Sequence, residues 1–237
     1  MTTNDNNTIF LYHDQIGRLD FIQSWGNDLM LVNSARASFG VEKTELDDRD
    51  KKLINYLVEH KHTSTLEHCG ITFRCVVPLF VRSQHHRHRT WSYNEISRRY
   101  TDVNIEFYEP TEFRTQHKSN RQASSNDLIN PRLSDEICQK LICLDAADAI
   151  RKHHEFSLKL FDELLEKGVC REQARGVLPQ NLYTTYYATA CLSNIMKFIQ
   201  LRDKPDAQWE IQVLAKAMMQ FVEREFPYAA KAMKNSA

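Results

Sequence analysis

Apolar side chains follow two spacings along this chain, one typical of β-strands and one typical of helices. Residues 18–25 and 182–192 are rich in β-branched and aromatic side chains, which predicts two strands. In residues 69–78 every second position from Ile71 to Val77 is apolar, which predicts a half-buried strand.

Helical spacing marks four further segments, namely 29–39, 47–60, 134–168 and 206–226. Asn27 and Asp28 precede the first of them and favour a helix N-terminus, while Gly168 favours the end of the third. Residues 115–130 are polar and rich in helix breakers, which predicts a surface loop or a partly disordered local insertion. Strands and helices alternate without clean βαβ units. The pattern therefore predicts a single α+β domain over residues 1–237, with an antiparallel β-sheet flanked by helices.

Composition narrows the class of protein. The 237 residues carry 31 basic and 31 acidic side chains, and this balance argues against a general binder of nucleic acid or of membrane surfaces. The sequence has no apolar run long enough to span a bilayer and no signal peptide, which predicts a cytoplasmic protein. The six cysteines form no CxxC pair and are expected to be reduced.

Positive charge is nevertheless concentrated in residues 82–100, "RSQHHRHRTWSYNEISRRY". Five arginines and three histidines share this segment with one acid, Glu95, so its local charge is +4 with neutral histidines. A helix over residues 78–89 would place part of the cluster on one face. The members of that face are Arg82, His85, His86 and Arg89. Residues after Trp91 are expected to form a loop or a short turn.

The chemistry of this segment suits a nucleotide. Arginine binds phosphate through two parallel charge-assisted hydrogen bonds, and Asn94 and Glu95 add polar groups that can contact a heterocycle. The chain has neither a GxGxxG nor a Walker A segment, so side-chain cations would have to hold the phosphate.

Two other interpretations of the basic and histidine-rich segments remain open. The arginines could form a solvated basic face, because charge runs usually face solvent. The histidines near residues 60–68 and 85–88 could bind zinc, although neither group forms HExxH and no cysteine pair supports them. We expect no metal site.

Residues 87–100 resemble the signature of the flavin-dependent thymidylate synthases, in which R-H-R is followed by seven residues and a serine. Arg87, His88 and Arg89 stand at that spacing from Ser97. The resemblance continues in "SARASF" (34–39), "HKHTSTLEH" (60–68), "REQARGVLPQNLYT" (171–184) and "FIQLRDKPDAQWEIQ" (198–212). The chain departs from the family pattern at Cys191, Ser193 and Lys197, where an Asn-x-Arg pair and a later Asn are common.

The resemblance implies an enzyme that converts dUMP to dTMP. Methylenetetrahydrofolate would supply the carbon, reduced FAD the hydride and NADPH the electrons that reduce the flavin. It also implies a homotetramer whose partners are its own copies, dUMP and folate, with no nucleic acid and no membrane.

The resemblance also assigns residues to each ligand. Those implied for dUMP are Gln84, Arg87, Glu95, Ser97, Arg98, Arg99, Arg175 and Arg202. Those implied for FAD are Ser38, His62, Ser64, Arg87, His88, Arg89, Glu95, Ser193 and Lys197. Arg202 is the implied catalytic residue, because a cation facing the uracil ring would stabilise negative charge that develops there.

Ser97 could alternatively be a nucleophile, but a serine nucleophile needs an adjacent base, and the pattern identifies none. We therefore expect it to bind phosphate. Two rival classes of protein remain: a nucleotide- or RNA-binding module that uses the same arginines, and a zinc hydrolase. A flavin absorbance spectrum would distinguish the flavin enzyme from the binding module, and a metal analysis would reveal a zinc hydrolase.

Overall fold

The computed structural model describes residues 6–103 and 105–235. The strands are β1 (Thr8–Phe10), β2 (Arg18–Trp25), β3 (Gly70–Pro78), β4 (Ser92–Glu95), β5 (Phe113–Gln116), β6 (Ser124–Ile129) and β7 (Tyr183–Cys191). The helices are α1 (Asp28–Arg36), α2 (Asp48–Glu59), α3 (Thr63–Leu66), α4 (Leu79–His85), α5 (Asp135–Leu141), α6 (Ala146–Glu166), α7 (Arg171–Ala174), α8 (Leu192–Arg202), α9 (Trp209–Glu225) and α10 (Pro227–Asn235).

Five strands form one sheet in the order β1-β2-β3-β7-β4. Strand β2 pairs antiparallel with β1 on one side and with β3 on the other, where Leu19 lies opposite Cys75. The hydroxyl groups of Thr72 and Thr189 lie 3.0 Å apart between β3 and β7, and the Leu192 N–H donates to the Cys69 carbonyl. The predicted α+β class, with an antiparallel sheet and flanking helices, is confirmed.

Strand β3 is buried on both faces, so the prediction of a half-buried strand was wrong. Its alternate positions, Thr72 and Val76, are also buried, and only Arg74 reaches partial exposure, where its Nε lies 2.8 Å from Asp20 Oδ2. The reason is position, because β3 is the middle strand of five. A strand covered on both faces loses the alternation that a one-sided strand shows.

The described residues form two compact units. The first unit lies within residues 1–76, 84–94 and 186–237, and the second within residues 77–83 and 95–185. The prediction of one domain over the whole chain stays a prediction.

In the first unit, side-chain caps fix the helix starts that the sequence predicted. Asn27 accepts from the Met30 N–H at the start of α1, and Asp47 with Asp50 forms a reciprocal capping box on α2. The sequence analysis did not predict helices α8 and α10. Helix α8 buries six of its residues and exposes one face at Lys197, Gln200 and Leu201, a helical spacing that the sequence analysis did not use.

In the second unit, the predicted helix over 134–168 is two helices. Ile142 takes a left-handed conformation after α5, and Asp145 then caps α6 by accepting from the Asp148 N–H. Helix α6 contributes Phe161 to a small buried core whose other members are Ala174, Leu178 and Leu182. Residues 115–130 are a loop only in part, because β5 and β6 pair as an antiparallel hairpin and residues 117–123 connect them.

Within the described residues no helix has the length and apolar character that crossing a membrane requires. The six cysteines are free thiols, and Cys69, Cys75 and Cys143 are buried.

At Gly70 of β3, residues of the neighbouring strands β2 and β7 approach the backbone closely. A Cβ at this position would lie 2.2 Å from the Trp25 ring and 2.3 Å from the Ala190 carbonyl oxygen. We expect Gly70→Ala to lower the free energy of unfolding by about 1–3 kcal/mol, because the backbone oxygen cannot move aside. The measurement is urea unfolding. Gly176→Ala is the control, since no atom lies within 4 Å of its added Cβ. A Gly70→Ala protein as stable as the control would contradict the packing described.

Candidate active site

Helix α4 ends at His85, and the basic segment then continues as a turn rather than a helix. The Arg87 N–H donates to the Gln84 carbonyl and the His88 N–H to the His85 carbonyl, which closes the turn. Strand β4 begins at Ser92. The predicted helix over 78–89 is therefore confirmed only for Leu79–His85, and Arg89 does not share a helical face with Arg82. The predicted loop after Trp91 is confirmed only for residues 96–100, because residues 92–95 form β4.

The buried side chain of His85 anchors this turn. The side chain is fully buried, and its Nδ1 lies 2.9 Å from the Tyr186 hydroxyl. Its ring packs against Trp91 and Phe198 at centroid distances of 4.7 and 4.6 Å. Burial holds the pKa of His85 well below its ordinary value, so this imidazole is neutral.

The Tyr93 hydroxyl ties both ends of the turn together. It donates to the carbonyls of His85 and His88 at 2.9 and 3.1 Å. On this anchored turn the side chains of Arg87 and Arg89 are exposed.

Arg202, at the end of α8, has a fixed place beside this turn. Its Nε donates to His88 Nε2 at 3.2 Å, and its Nη2 donates to the Gln84 carbonyl at 3.4 Å. Burial first, and then the Arg202 cation, lowers the pKa of His88 to about 4. A neutral His88 can accept from Arg202, which a protonated imidazole cannot do.

In the second unit, arginines converge on a cavity of about 250 Å³. Its polar lining comprises Arg82, Glu95, Ser97, Arg98, Arg175 and Thr184, with Leu79, Leu178 and Leu182 among the apolar residues. Three guanidinium groups face one carboxylate, so the cavity has an excess of positive charge. Such a donor set suits a phosphate ester.

Two side chains hold Glu95 within this cavity. The Thr184 hydroxyl donates to Glu95 Oε1 at 2.7 Å, and Arg82 Nε lies 3.1 Å from the same oxygen. Both contacts fall on Oε1, which leaves Oε2 as the oxygen that can accept from a ligand hydroxyl or ring nitrogen.

Ser97, Arg98 and Arg99, which follow Glu95 in the chain, differ in their contacts with the cavity. Arg98 is 9% exposed and donates from Nη1 to the Val103 carbonyl at 2.7 Å, which fixes its guanidinium. The Ser97 hydroxyl accepts from the Arg99 N–H, a contact that shapes the loop. Arg99 itself points to Glu172 at 3.7 Å and does not line the cavity.

The structure brings together only some of the residues that the resemblance implies for flavin. Buried Ser193 and exposed Lys197 line a cavity of about 300 Å³ in the first unit together with Lys61 and Thr63. His62 and Ser64 flank Thr63 and are exposed. Ser38 is exposed after α1, where its hydroxyl donates to the Ala35 carbonyl.

The structure thus gathers the predicted residues into three groups. These are Gln84, His88 and Arg202; Glu95, Ser97, Arg98 and Arg175; and Ser193 with Lys197. Sequence analysis missed His85, Tyr186 and Thr184 as supports, because none of them carries a recognisable motif. In residues 6–103 and 105–235 no three His, Cys, Asp or Glu side chains are grouped so that they could hold a metal ion.

Comparison with known proteins gives a consistent result. A family model described as "Thymidylate synthase complementing protein" matches residues 20–228. The flavin-dependent thymidylate synthase of Thermus thermophilus is 41% identical over 213 residues, which cover 90% of this chain and 74% of that protein. The enzyme of the same name from Thermosipho africanus is 37% identical over 216 residues, covering 91% and 90%.

A solved structure is also similar over nearly the whole chain. It is the UMP/dUMP methylase PolB from Streptomyces cacaoi bound with 5-Br dUMP. The TM-score is 0.77 at 30% sequence identity, with 96% of this chain and 97% of that chain covered.

The contact of Thr184 with Glu95 can be tested by stability alone. Thr184 is 4% exposed, so Thr184→Val leaves a charged acceptor without its buried donor, and we expect a loss of about 1.5–3 kcal/mol in unfolding free energy. Thr184→Ser keeps the hydroxyl and should lose less. In a Glu95→Ala background the effect of Thr184→Val should shrink, as measured by a double-mutant cycle in urea. An undiminished effect there would show that the hydroxyl does not act through Glu95.

The lowered pKa of His88 predicts a pH dependence of stability. An unfolded histidine titrates near pH 6.5, so between about pH 6.5 and 4 the unfolded chain takes up more protons than folded His88 does. Stability should therefore fall as the pH is lowered through this window, and His88→Gln should reduce that fall. Urea unfolding at the two ends of the window measures it, with exposed His153→Gln as control. Equal pH dependence in wild type and His88→Gln would contradict a neutral, half-buried His88.

Proposed function

This chain belongs to the family of flavin-dependent thymidylate synthases, and on that premise we propose that it methylates dUMP to dTMP. In the proposed reaction, methylenetetrahydrofolate supplies the carbon, reduced FAD supplies a hydride and NADPH reduces the flavin. The single observation that carries the choice of substrate is the arginine-lined cavity of the second unit.

The cavity supports a nucleoside monophosphate for two reasons. Arg98, held by the Val103 carbonyl, and Arg175 supply positive charge, and Ser97 adds a hydroxyl, which together fit a phosphate dianion. Glu95 provides a carboxylate oxygen within the same cavity, which fits a sugar hydroxyl or a ring N–H. A phosphate alone would not require that acceptor.

The residues of the first unit fit FAD by the chemistry of their donors. Arg87 and Arg89 are exposed on the anchored turn, and Lys61 and Lys197 stand beside the hydroxyl groups of Thr63 and Ser193. Cations and hydroxyl donors are the groups that a pyrophosphate requires. When bound, the flavin supplies hydride transfer, which removes the need for a nucleophilic serine or cysteine in the protein.

Arg202 is the residue to which we assign the chemistry on the pyrimidine. His88 and Gln84 fix its orientation, and a guanidinium stays charged even where partial burial lowers its pKa. A cation already oriented before the reaction stabilises negative charge on the uracil ring without first reorganising.

The proposed reaction balances over its four reactants. The carbon of methylenetetrahydrofolate becomes bonded to C5 of the uracil, and C5 loses its hydrogen as a proton. One hydride completes the methyl group, so that dUMP, methylenetetrahydrofolate, NADPH and a proton give dTMP, tetrahydrofolate and NADP⁺. We propose that the protein acts as a homotetramer, as the family resemblance implies.

The test is single-turnover oxidation of pre-reduced flavin in the purified protein, at saturating dUMP and methylenetetrahydrofolate, with dTMP measured at the end. Wild type should oxidise flavin and form stoichiometric dTMP. We expect Arg202→Ala to lower the saturated rate on the order of a hundredfold, because the lost interaction grows in the transition state. Lysine at this position should restore only part of the rate, since it lacks the planar fork.

Arg175→Ala is the matched variant. It should raise the dUMP concentration required and change the saturated rate much less, as expected for binding that is uniform through the reaction. Wild-type protein that binds no FAD, or forms no dTMP, would refute the proposed function. An Arg202→Ala protein that reacts at the wild-type rate would refute the role of Arg202 alone.

A further inference from the structure

Besides the two cavities described above, the first unit has a groove along the C-terminal half of α8. Its volume is about 650 Å³, within the range typical of small-molecule sites. The charged residues that line the groove are Lys61, Lys197, Asp203, Lys204 and Lys234. The roles proposed for dUMP and for Arg202 leave it unused.

The charge of this groove is one-sided. Four lysines line it, and they face a single acid, Asp203, which lies 3.7 Å from Lys216 outside the groove. Lys234 pairs with Glu223, whereas among the described residues Lys61, Lys197 and Lys204 have no acidic partner. Unpaired like charges on one concave surface repel each other, and a polyanion would relieve that repulsion.

Lys61 is held in the groove at a conformational cost. It follows the C-terminus of α2 with φ of 55°, the left-handed region where glycine is the usual residue. Backbone hydrogen bonds from Lys61 to Val58 and from His62 to Leu57 fix this conformation.

The floor of the groove is apolar and adaptable. Met219 and Met233 are buried, and Ile199 lies beside them. Methionine side chains adjust to irregular apolar shapes, so they suit the methylene groups of a flexible ligand. An apolar floor with a rim of amines matches a chain of carboxylates joined by short hydrocarbon segments.

The groove adjoins the cavity to which we assign flavin. Arg202 belongs to the same helix, but its guanidinium is turned to His88 and does not line the groove. The groove also shares Lys61, Lys197 and Gln200 with the cavity to which we assign flavin. A substrate that reacts beside the flavin can therefore extend from that cavity into the groove.

We propose that this lysine groove is the subsite for the γ-linked glutamate tail of the folate carbon donor. The proposal rests on the proposed function, because it assigns a place to part of that reaction's co-substrate. Folate tails carry one carboxylate per added glutamate, separated by methylene groups, which is the chemistry that the groove offers to bind. Lys204 and Lys234 would bind the carboxylates farthest from the pterin.

The first arm of the test compares methylenetetrahydrofolate with one and with four glutamates. Wild type should have a KM for the tetraglutamate that is roughly tenfold lower, because each exposed ion pair contributes modestly and several act together. This ratio should collapse in 0.5 M KCl, where exposed charges are screened at about 4–5 Å. In the double variant Lys204→Gln/Lys234→Gln it should fall below about threefold.

The control is Lys52→Gln, an exposed lysine of α2 that does not line the groove and that should keep the wild-type ratio. Equal KM values for the two folates in wild type would overturn the proposal, as would a ratio retained by the double variant. A double variant with raised KM for NADPH and an unchanged folate ratio would also overturn it, because the groove would then hold dinucleotide phosphate.

The second arm does not depend on activity. Titration calorimetry measures binding of the free tetra-γ-glutamate peptide to the full-length protein at low salt. Binding by wild type that is lost in the double variant and kept in Lys52→Gln supports the subsite. Equal binding by wild type and double variant, or none to wild type, overturns it. If no dTMP forms with either folate, the proposed function fails, and this arm still decides whether the groove binds the tail.

Discussion

The burial of one neutral histidine organises the basic segment. His85 closes α4, takes a hydrogen bond partner in Tyr186 and packs its ring between Trp91 and Phe198. A charged imidazole could not occupy that position without a large desolvation penalty. Because His85 is fixed, the turn that follows it is fixed, and Arg87 and Arg89 are presented to solvent while His88 is turned towards Arg202.

A second constraint on the structure is the placement of its positive charges. A chain with no net charge gathers many cations into small regions, and each region is arranged differently. In the second unit, Arg82 and Thr184 fix Glu95 and a backbone carbonyl fixes Arg98, so the positive charge is rigid and partly compensated. Along α8, three lysines have no acidic partner among the described residues and remain on flexible stems. Rigid guanidiniums suit a compact phosphate that must be oriented, whereas flexible amines suit a long and variable anion.

Histidine 88 shows how one residue can serve both local structure and chemistry. The family resemblance assigns it to flavin, and in the structure it accepts a hydrogen bond from Arg202 Nε. Partial burial and the adjacent cation keep it neutral, and that neutrality preserves its capacity to accept. The orientation of Arg202 therefore depends on the protonation state of a side chain that is adjacent in space and distant in sequence.

The sequence by itself determined the strands β2, β3 and β7, the starts of α1 and α2, the α+β class and the family. These follow from local information: side-chain periodicity, capping residues and a motif of fixed spacing. The tertiary structure alone decided that β3 is buried on both faces and that α4 stops at His85. Both depend on neighbours brought from far along the chain, such as Tyr186 and Phe198 around His85, and burial on both faces erases the alternation by which a strand is recognised. Thr184, which supports Glu95, was hidden because a contact across 89 residues leaves no trace in local spacing.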